Sequence, residues 1–335
     1  MRITTLSVFA IALVACKSDP PDNGPNDKGD DTDTEVEEIT IDPADVELNG
    51  VCDAEELFGG FSISHFSQDP QFQYAAVQGQ VTDGVVPVTV LQPIIEVESC
   101  ILLKRNLPPL CEPQCESDEA CDLDGECIPY PQGQDLGTVT VDGLTVPVSM
   151  EPLIPGFTYF DPEVPYPAYE EGDVIVLETE GGVYDPITMY GVGGADLVIN
   201  ESEWIVFAGQ DMPITWNAPS PDLPTRTHIW VRMNIDQHGL TPIQLFCEFE
   251  DDGAASIPAV ALDELLGAGV SGFANATATR RTVDSGPAGD GCMELIVQSS
   301  YSPDILVDGH IACSGPGQCP PGMTCDVPTG TCEPD

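Results

Sequence analysis

The cysteines constrain this chain more than any other feature. Thirteen occur in 335 residues, and eight of them fall into two short runs. Cys111-Glu-Pro-Gln-Cys115 leads on to Cys121 and Cys127, with gaps of three, five and five residues. Cys313, Cys319, Cys325 and Cys332 repeat the arrangement near the end of the sequence. Each run has a turn before its last cysteine, Asp122-Leu-Asp-Gly-Glu126 in one and Asp326-Val-Pro-Thr-Gly330 in the other. Segments this short cannot bury enough apolar surface to fold on a core, so cross-links must hold them. Four cysteines allow three pairings, and spacing does not choose among them. Tetrahedral zinc is the rival cross-link, but its Cys-x₂-Cys ligand spacing is absent from both runs.

The first sixteen residues indicate where the chain goes. Arg2 supplies a positive end, Val8 to Val14 a short apolar run, and Leu13-Val14-Ala15-Cys16 a small-residue close. That pattern is a secretory signal, too short for a membrane span. Leu13-Val14-Ala15-Cys16 resembles the lipobox of bacterial lipoproteins. The resemblance implies that Cys16 is acylated and becomes the mature N-terminus. A single acyl chain holds a protein only marginally, whereas the several chains implied here anchor it stably. Lys17 stands where aspartate would mark retention at the inner membrane, so the resemblance places the protein at the outer membrane or cell surface. No later stretch reaches the ~18 uninterrupted apolar residues of a transmembrane helix.

Setting Cys16 aside leaves twelve cysteines, an even number that implies a disulfide framework in an exported chain. Both cysteine runs resemble the small knuckles of extracellular proteins, in which the first cysteine pairs with the third and the second with the fourth. That resemblance implies Cys111–Cys121, Cys115–Cys127, Cys313–Cys325 and Cys319–Cys332. The remaining four are then paired by elimination as Cys52–Cys100 and Cys247–Cys292.

Nine basic residues face fifty-seven acidic ones, a net charge of -48. Phosphates would be repelled, which excludes nucleic acid and anionic lipid surfaces as default partners and leaves membrane contact to the lipid anchor. The charge suits solubility, or the binding of Ca²⁺ or cationic polymers. Residues 16–48 are rich in Asp, Glu, Pro and Thr, and are expected to form a disordered acidic tether behind the anchor. Asp30-Asp31-Thr32-Asp33 lacks the fixed glycine and closing glutamate of an EF-hand.

Beyond the tether the chain reads as strands. Phe61, Ile63 and His65 alternate with Ser62 and Ser64. Asp83-Gly84 and Asp142-Gly143 each separate alternating valine-rich runs, a hairpin signal. Pro87 and Pro147 follow them and mark sheet edges. Residues 155–172 read as a loop, Val174 to Leu177 as a strand, and Trp204 to Phe207 as a strand bridging two halves. From Asp211 onward Met212, Ile214 and Trp216 alternate, and so do Ile229, Val231 and Met233, then Leu245, Cys247 and Phe249. Ile257-Pro258 opens a short helical turn, with proline acceptable at its start. A core tryptophan, a strand cysteine and frequent turns over 211–300 resemble immunoglobulin-like bacterial sandwiches. The resemblance implies that architecture but not its strand order, because the spacing of Trp216, Cys247 and Cys292 departs from the antibody pattern.

Catalytic signatures are scarce. There is no Gly-x-Ser-x-Gly elbow, no His-Glu-x-x-His and no phosphate loop. The four histidines are scattered singly and are expected to be structural. His228, Trp230 and Arg232 share one strand face. If that face is open, they form a sugar or peptide platform; if a second layer covers it, Trp230 is core, which is the expectation. Tyr159, Tyr166 and Tyr169 offer aromatic contacts on the 155–172 loop, and Glu248, Asp251 and Asp252 are weak Ca²⁺ candidates. No other cofactor is implied.

The sequence therefore predicts an all-β protein with two β-sandwich-like units. Its segments are a signal at 1–15, an anchor and tether at 16–48, and a β domain at 49–208 with a cysteine-rich insert at 100–130. An immunoglobulin-like sandwich at 209–309 and a knuckle at 310–335 follow. The expected function is non-catalytic, a lipid-anchored surface module that binds an unknown surface protein or glycan. The alternatives are a β-sandwich carbohydrate-binding protein or secreted hydrolase, and a Ca²⁺-dependent adhesin.

Overall fold

The computed structural model describes residues 41–67, 72–87, 91–105, 111–122, 125–223, 226–235, 243–270 and 274–335. Cys16 with its signal segment, the acidic run at 30–38 and His238 lie outside the described residues. The first strands are β1 (Leu57–Phe66), β2 (Tyr74–Val81), β3 (Leu91–Val97), β4 (Cys100–Arg105), β5 (Glu119–Cys121), β6 (Cys127–Pro129) and β7 (Val139–Asp142). Next come β8 (Val148–Met150), β9 (Tyr159–Asp161), β10 (Val174–Thr179), β11 (Thr188–Val192), β12 (Glu203–Val206), β13 (Met212–Thr215) and β14 (His228–Asn234). After β15 (Ile243–Glu250) and β16 (Ala254–Ile257) the helix α1 spans Ala259–Gly267. The chain closes with β17 (Asn275–Ala288), β18 (Gly291–Tyr301), β19 (Asp304–Val307), β20 (Met323–Asp326) and β21 (Thr331–Pro334). No helix among the described residues is long and apolar enough to cross a membrane.

The protein is nearly all β, and one nine-stranded sheet organises it, in the order β3-β4-β15-β14-β17-β18-β1-β2-β9. Period-two alternation gives each of these strands one apolar face. On β14, Ile229, Val231 and Met233 are fully buried while His228, Trp230 and Arg232 point the other way. On β17, Ala276, Ala278, Arg280, Thr282 and Asp284 take the buried side.

Two hydrophobic cores cover that buried side. In the first, Val139, Val141, Ile175, Leu177 and Met189 of the four-stranded sheet β11-β10-β7-β8 pack on Phe61, Ile63, Val77 and Leu295. In the second, Ala261, Leu262 and Leu265 of α1 join Trp204, Ile214 and Ile257 from the pairs β12–β19 and β13–β16, over Leu102, Ile229, Val231 and Leu245. Fully burying one such side chain contributes ~1.5–3 kcal/mol.

The cores do not follow the expected division at residue 208. β1 lies parallel to β18, from Leu57 opposite Cys292 to Phe66 opposite Ser300, and β4 lies antiparallel to β15. Early and late strands are therefore interleaved in one sheet, and residues 41–335 cluster as one unit. The two Asp-Gly turns also part ways. Asp142-Gly143 does turn β7 onto β8, with Gly143 at φ 82° and β8 at the sheet edge, where Pro147 needs no ladder partner. Asp83-Gly84 makes no hairpin, because β2 pairs with β1 and β9 instead, and the Asp83 carboxylate accepts from the Gln132 amide at 2.7 Å.

Interleaving also redirects two disulfides. The structure joins Cys52 to Cys292 and Cys100 to Cys247, not Cys52 to Cys100 and Cys247 to Cys292 as elimination had it. Cys52 precedes β1 and so reaches β18, while Cys100 stands directly across the β4–β15 ladder from Cys247. Pairing within each half presumed two separate domains. In the knuckles the bonds are Cys111–Cys121, Cys115–Cys127, Cys313–Cys325 and Cys319–Cys332, each pair set spanning a two-stranded ladder, β5–β6 or β20–β21.

Peptide mapping under non-reducing conditions should recover Cys52 linked to Cys292 and Cys100 linked to Cys247. Cys52→Ala/Cys292→Ala should lower unfolding stability by ~2–4 kcal/mol in denaturant titration.

Candidate functional site

The outward side of the nine-stranded sheet carries the candidate site. Register places its side chains in rows: Glu250, His228 and Arg281 in one, Glu248, Trp230 and Thr279 in the next, then Ile101, Phe246, Arg232 and Thr277. Trp230 is half-buried, so the expectation that it belongs to a core is corrected: both cores lie on the opposite side, and this face stays open. What shields Trp230 is Arg281, whose guanidinium lies 3.3 Å from the ring centroid. Cation–π contacts of this kind contribute ~0.5–2 kcal/mol according to desolvation. Burial lowers the Arg281 pKa to about 10, against the opposing pull of Glu294 and Glu248. Its Nε has no hydrogen-bond partner among the described residues, so the ring and those carboxylates hold it.

Next to Trp230, His228 Nδ1 meets Glu248 Oε1 at 3.2 Å, with both side chains close to half exposed. Arg232 is exposed beside Phe246. Two concavities meet at Trp230. The larger, about 820 Å³, runs toward the β3–β4 turn and is lined on the outward face by Trp230, Phe246 and Ile101 with Glu96, Glu98, Glu248, Glu250 and Asp252 around them. The smaller, about 410 Å³, is lined by Trp230, Arg281, Val283, Leu48 and Val51. The chain before β1 borders it because Arg226 donates to the carbonyls of Pro43, Ala44 and Val46, and the Asp284 carboxylate accepts from Asn49. Neither Arg281 nor the Glu96–Glu98–Glu250 group was singled out in the sequence. Alternation along β17 would have turned Arg281 outward, but nothing local says that β17 lies beside β14.

The other predicted site residues are elsewhere. Tyr159 and Tyr169 are core residues, not a platform. The Tyr159 hydroxyl accepts from the Leu136 amide and donates to the Gly137 carbonyl, and Tyr169 donates to the Gln298 carbonyl at 2.8 Å. Tyr166 donates to Asp196, and its pKa is raised to about 12, by burial first and then by that bond. The apolar first core draws in their rings, which a Pro-rich stretch with no periodicity did not disclose.

The Ca²⁺ set does not assemble. Asp251 is buried on the opposite side, where its carboxylate accepts four bonds: Arg280 Nε at 2.6 Å, Arg280 Nη2 at 2.9 Å, Trp216 Nε1 at 2.8 Å and Thr227 Oγ1 at 2.6 Å. A carboxylate has about four such acceptor positions, so none is left for a metal. Glu248 is turned to His228, and Asp252 accepts from the Ala254 amide. Among the described residues, the only groups whose ligand atoms converge within 4.8 Å are knuckle cysteines, in one case with Glu119, and those cysteines are in disulfides.

The pair of buried His65 with half-buried Asp196 resembles catalytic equipment but is wired otherwise. His65 Nδ1 lies 3.0 Å from Asp196 Oδ1, the ring stacks on Tyr169 at 3.9 Å, and Nε2 accepts the Ala168 amide at 2.9 Å. The proton therefore sits on Nδ1. The position a nucleophile's hydroxyl would need is taken by backbone.

The chain matches no family model, and no curated protein matches it significantly.

Replacing Asp251 with Ala should cost ~3–5 kcal/mol in denaturant unfolding, because Arg280 would be left charged and buried. Burial pushes the Asp196 carboxyl up, but its bonds from His65 and Tyr166 and the nearby Arg280 charge outweigh burial and hold it below the ordinary value. Its contribution is present above the unfolded pKa near ~3.9 and is lost as pH falls through the lower folded value. Asp196→Asn should therefore flatten the acid limb of a Tm–pH profile below about pH 4.

Proposed function

We propose that this chain is a lipid-anchored surface protein that binds a ligand, without catalysis, on the open face of its nine-stranded sheet. The supporting observation is Trp230: a large aromatic side chain at the junction of two concavities, flanked by His228, Glu248 and Arg281, on a side of the sheet that neither core covers. Aromatic anchors with adjacent charge are the usual energetic centres of protein interfaces. The lipobox resemblance at Leu13-Val14-Ala15-Cys16 supports a lipid anchor at the outer membrane or cell surface, with the acidic tether as spacer.

Catalysis is the weaker reading because the His65–Asp196 pair spends both ring nitrogens on structure. A Ca²⁺-dependent adhesin is weaker too, since Asp251 has no free acceptor position.

The test is to immobilise the full chain, screen it against polysaccharides and peptides, and repeat with Trp230→Ala. Binding should fall by more than about tenfold, as for a central aromatic contact. Unchanged binding to every captured ligand, or turnover lost on a single carboxylate substitution, would overturn the reading. Labelled palmitate should enter the wild-type chain and not Cys16→Ala.

A further inference from the structure

The proposed binding face says nothing by itself about the chemistry of its occupant, and the larger groove does. We infer that the 820 Å³ groove beside Trp230 takes an extended, arginine- and lysine-bearing polypeptide segment; this rests on the open-face reading above.

Three observations carry it. First, the charges around the groove are of one sign. Glu96, Glu98, Glu248, Glu250 and Asp252 line it, and no lysine or arginine does among the described residues. Of these carboxylates only Glu248 makes a close contact with a basic side chain among the described residues, His228 at 3.2 Å, and Arg232 stands outside the lining, across from Phe246. A chain of net charge -48 adds a long-range field that draws cations in and keeps anions out.

Second, the carboxylates are spread rather than convergent. No three of them bring ligand atoms within 4.8 Å of one another, so the arrangement does not suit a single metal ion, which needs its oxygens at one point. It suits several cationic heads spaced along a backbone. The groove's outward-facing apolar side chains, Trp230, Phe246 and Ile101, suit the aliphatic stems and the flat guanidinium faces of such side chains.

Third, the protein already performs this recognition within itself. Arg281 lays its guanidinium on the Trp230 ring at 3.3 Å, within the influence of the Glu248 carboxylate. Arg281 lines only the smaller concavity, whereas Trp230 lines both. The indole is thus a wall shared by an intramolecular cation and the acidic groove. The same pairing of aromatic floor and carboxylate rim is repeated on the groove's side.

The experiment measures anisotropy of a fluorescent alternating Arg-Ala octapeptide against the full-length protein, with a Glu-Ala octapeptide as comparison. Glu96→Gln/Glu248→Gln/Glu250→Gln should weaken Arg-Ala binding by about tenfold, as expected for several half-exposed ion pairs acting together. Glu55→Gln/Glu163→Gln/Glu333→Gln removes equal charge from exposed positions that do not line the groove, and should change it less than about twofold. Equal weakening by both triples would reduce the effect to diffuse attraction and overturn the inference, as would no Arg-Ala binding at low salt. If another ligand is captured in a Trp230-dependent way while the Arg-Ala peptide is not, the inference fails and the open face stands. If nothing captured depends on Trp230, both fail.

Discussion

Arg280 and Asp251 meet in the middle of the nine-stranded sheet, and the rest of the architecture is arranged around their contact. Both side chains are wholly buried. Removing two charges from water costs several kcal/mol for each, and the cost is recovered only where every donor and acceptor is paired. That condition is met here. Arg280 spends its five N–H groups on Asp251 and on the carbonyls of Ala195, Asp196 and Asn217. Asp251 fills its remaining positions from Trp216 and Thr227. Gly194 makes the approach possible, since a Cβ there would stand 2.9 Å from both Arg280 Cδ and Thr227 Cγ2.

The contact continues as a polar row between the two cores. Register sets Arg280 beside Ser299, and Ser299 beside His65. Ser299 Oγ accepts the Leu197 amide, and His65 reaches Asp196 and Ala168. β17 and β18 run through both cores and across this row, so neither core can part from the other without breaking the longest ladder in the molecule. Cys52–Cys292 ties the beginning of β1 to that same ladder and closes 240 residues of sequence. With the inward side so occupied, the outward side is the one left for contact.

Local features of the fold are legible in the sequence where local physics decides them. The knuckles are too short for anything but bridges, the valine alternation made strands, and Ile257-Pro258 led into α1 with Leu262 and Leu265 buried. The parity of β14 correctly grouped His228, Trp230 and Arg232. The sequence pattern does not decide features that depend on a partner strand. Trp230 looked like core because a tryptophan on a strand usually finds a second layer, and only the sheet's one-sided covering leaves it open. Arg280 and Arg281 are adjacent in sequence, yet one is sealed on Asp251 and the other lies on Trp230. Period two separates them, but it cannot say which side is inside. Tyr159, Tyr166 and Tyr169 showed no periodicity at all, and the hydroxyl bonds of Tyr159 and Tyr169 are to backbone groups that are distant or irregular in the chain.

The amino-acid sequence by itself determined the β class, the disulfide dependence of the two cysteine-rich segments and the alternation that sorts each strand's residues onto two faces. These follow from spacing over a few residues and from how little apolar surface a short segment can bury. The tertiary structure decided that β1 lies against β18, which cysteines of the central four are joined, that Asp251 is a buried counter-ion, and which face stays open with Glu96, Glu250 and Arg281 around Trp230. The strand neighbours and the central disulfides depend on contacts between residues more than a hundred positions apart, and the Asp251 and Trp230 contacts on partners some tens of positions away. Strand pairing is satisfied by backbone groups that every residue carries, so the side-chain pattern of one strand does not name its neighbour.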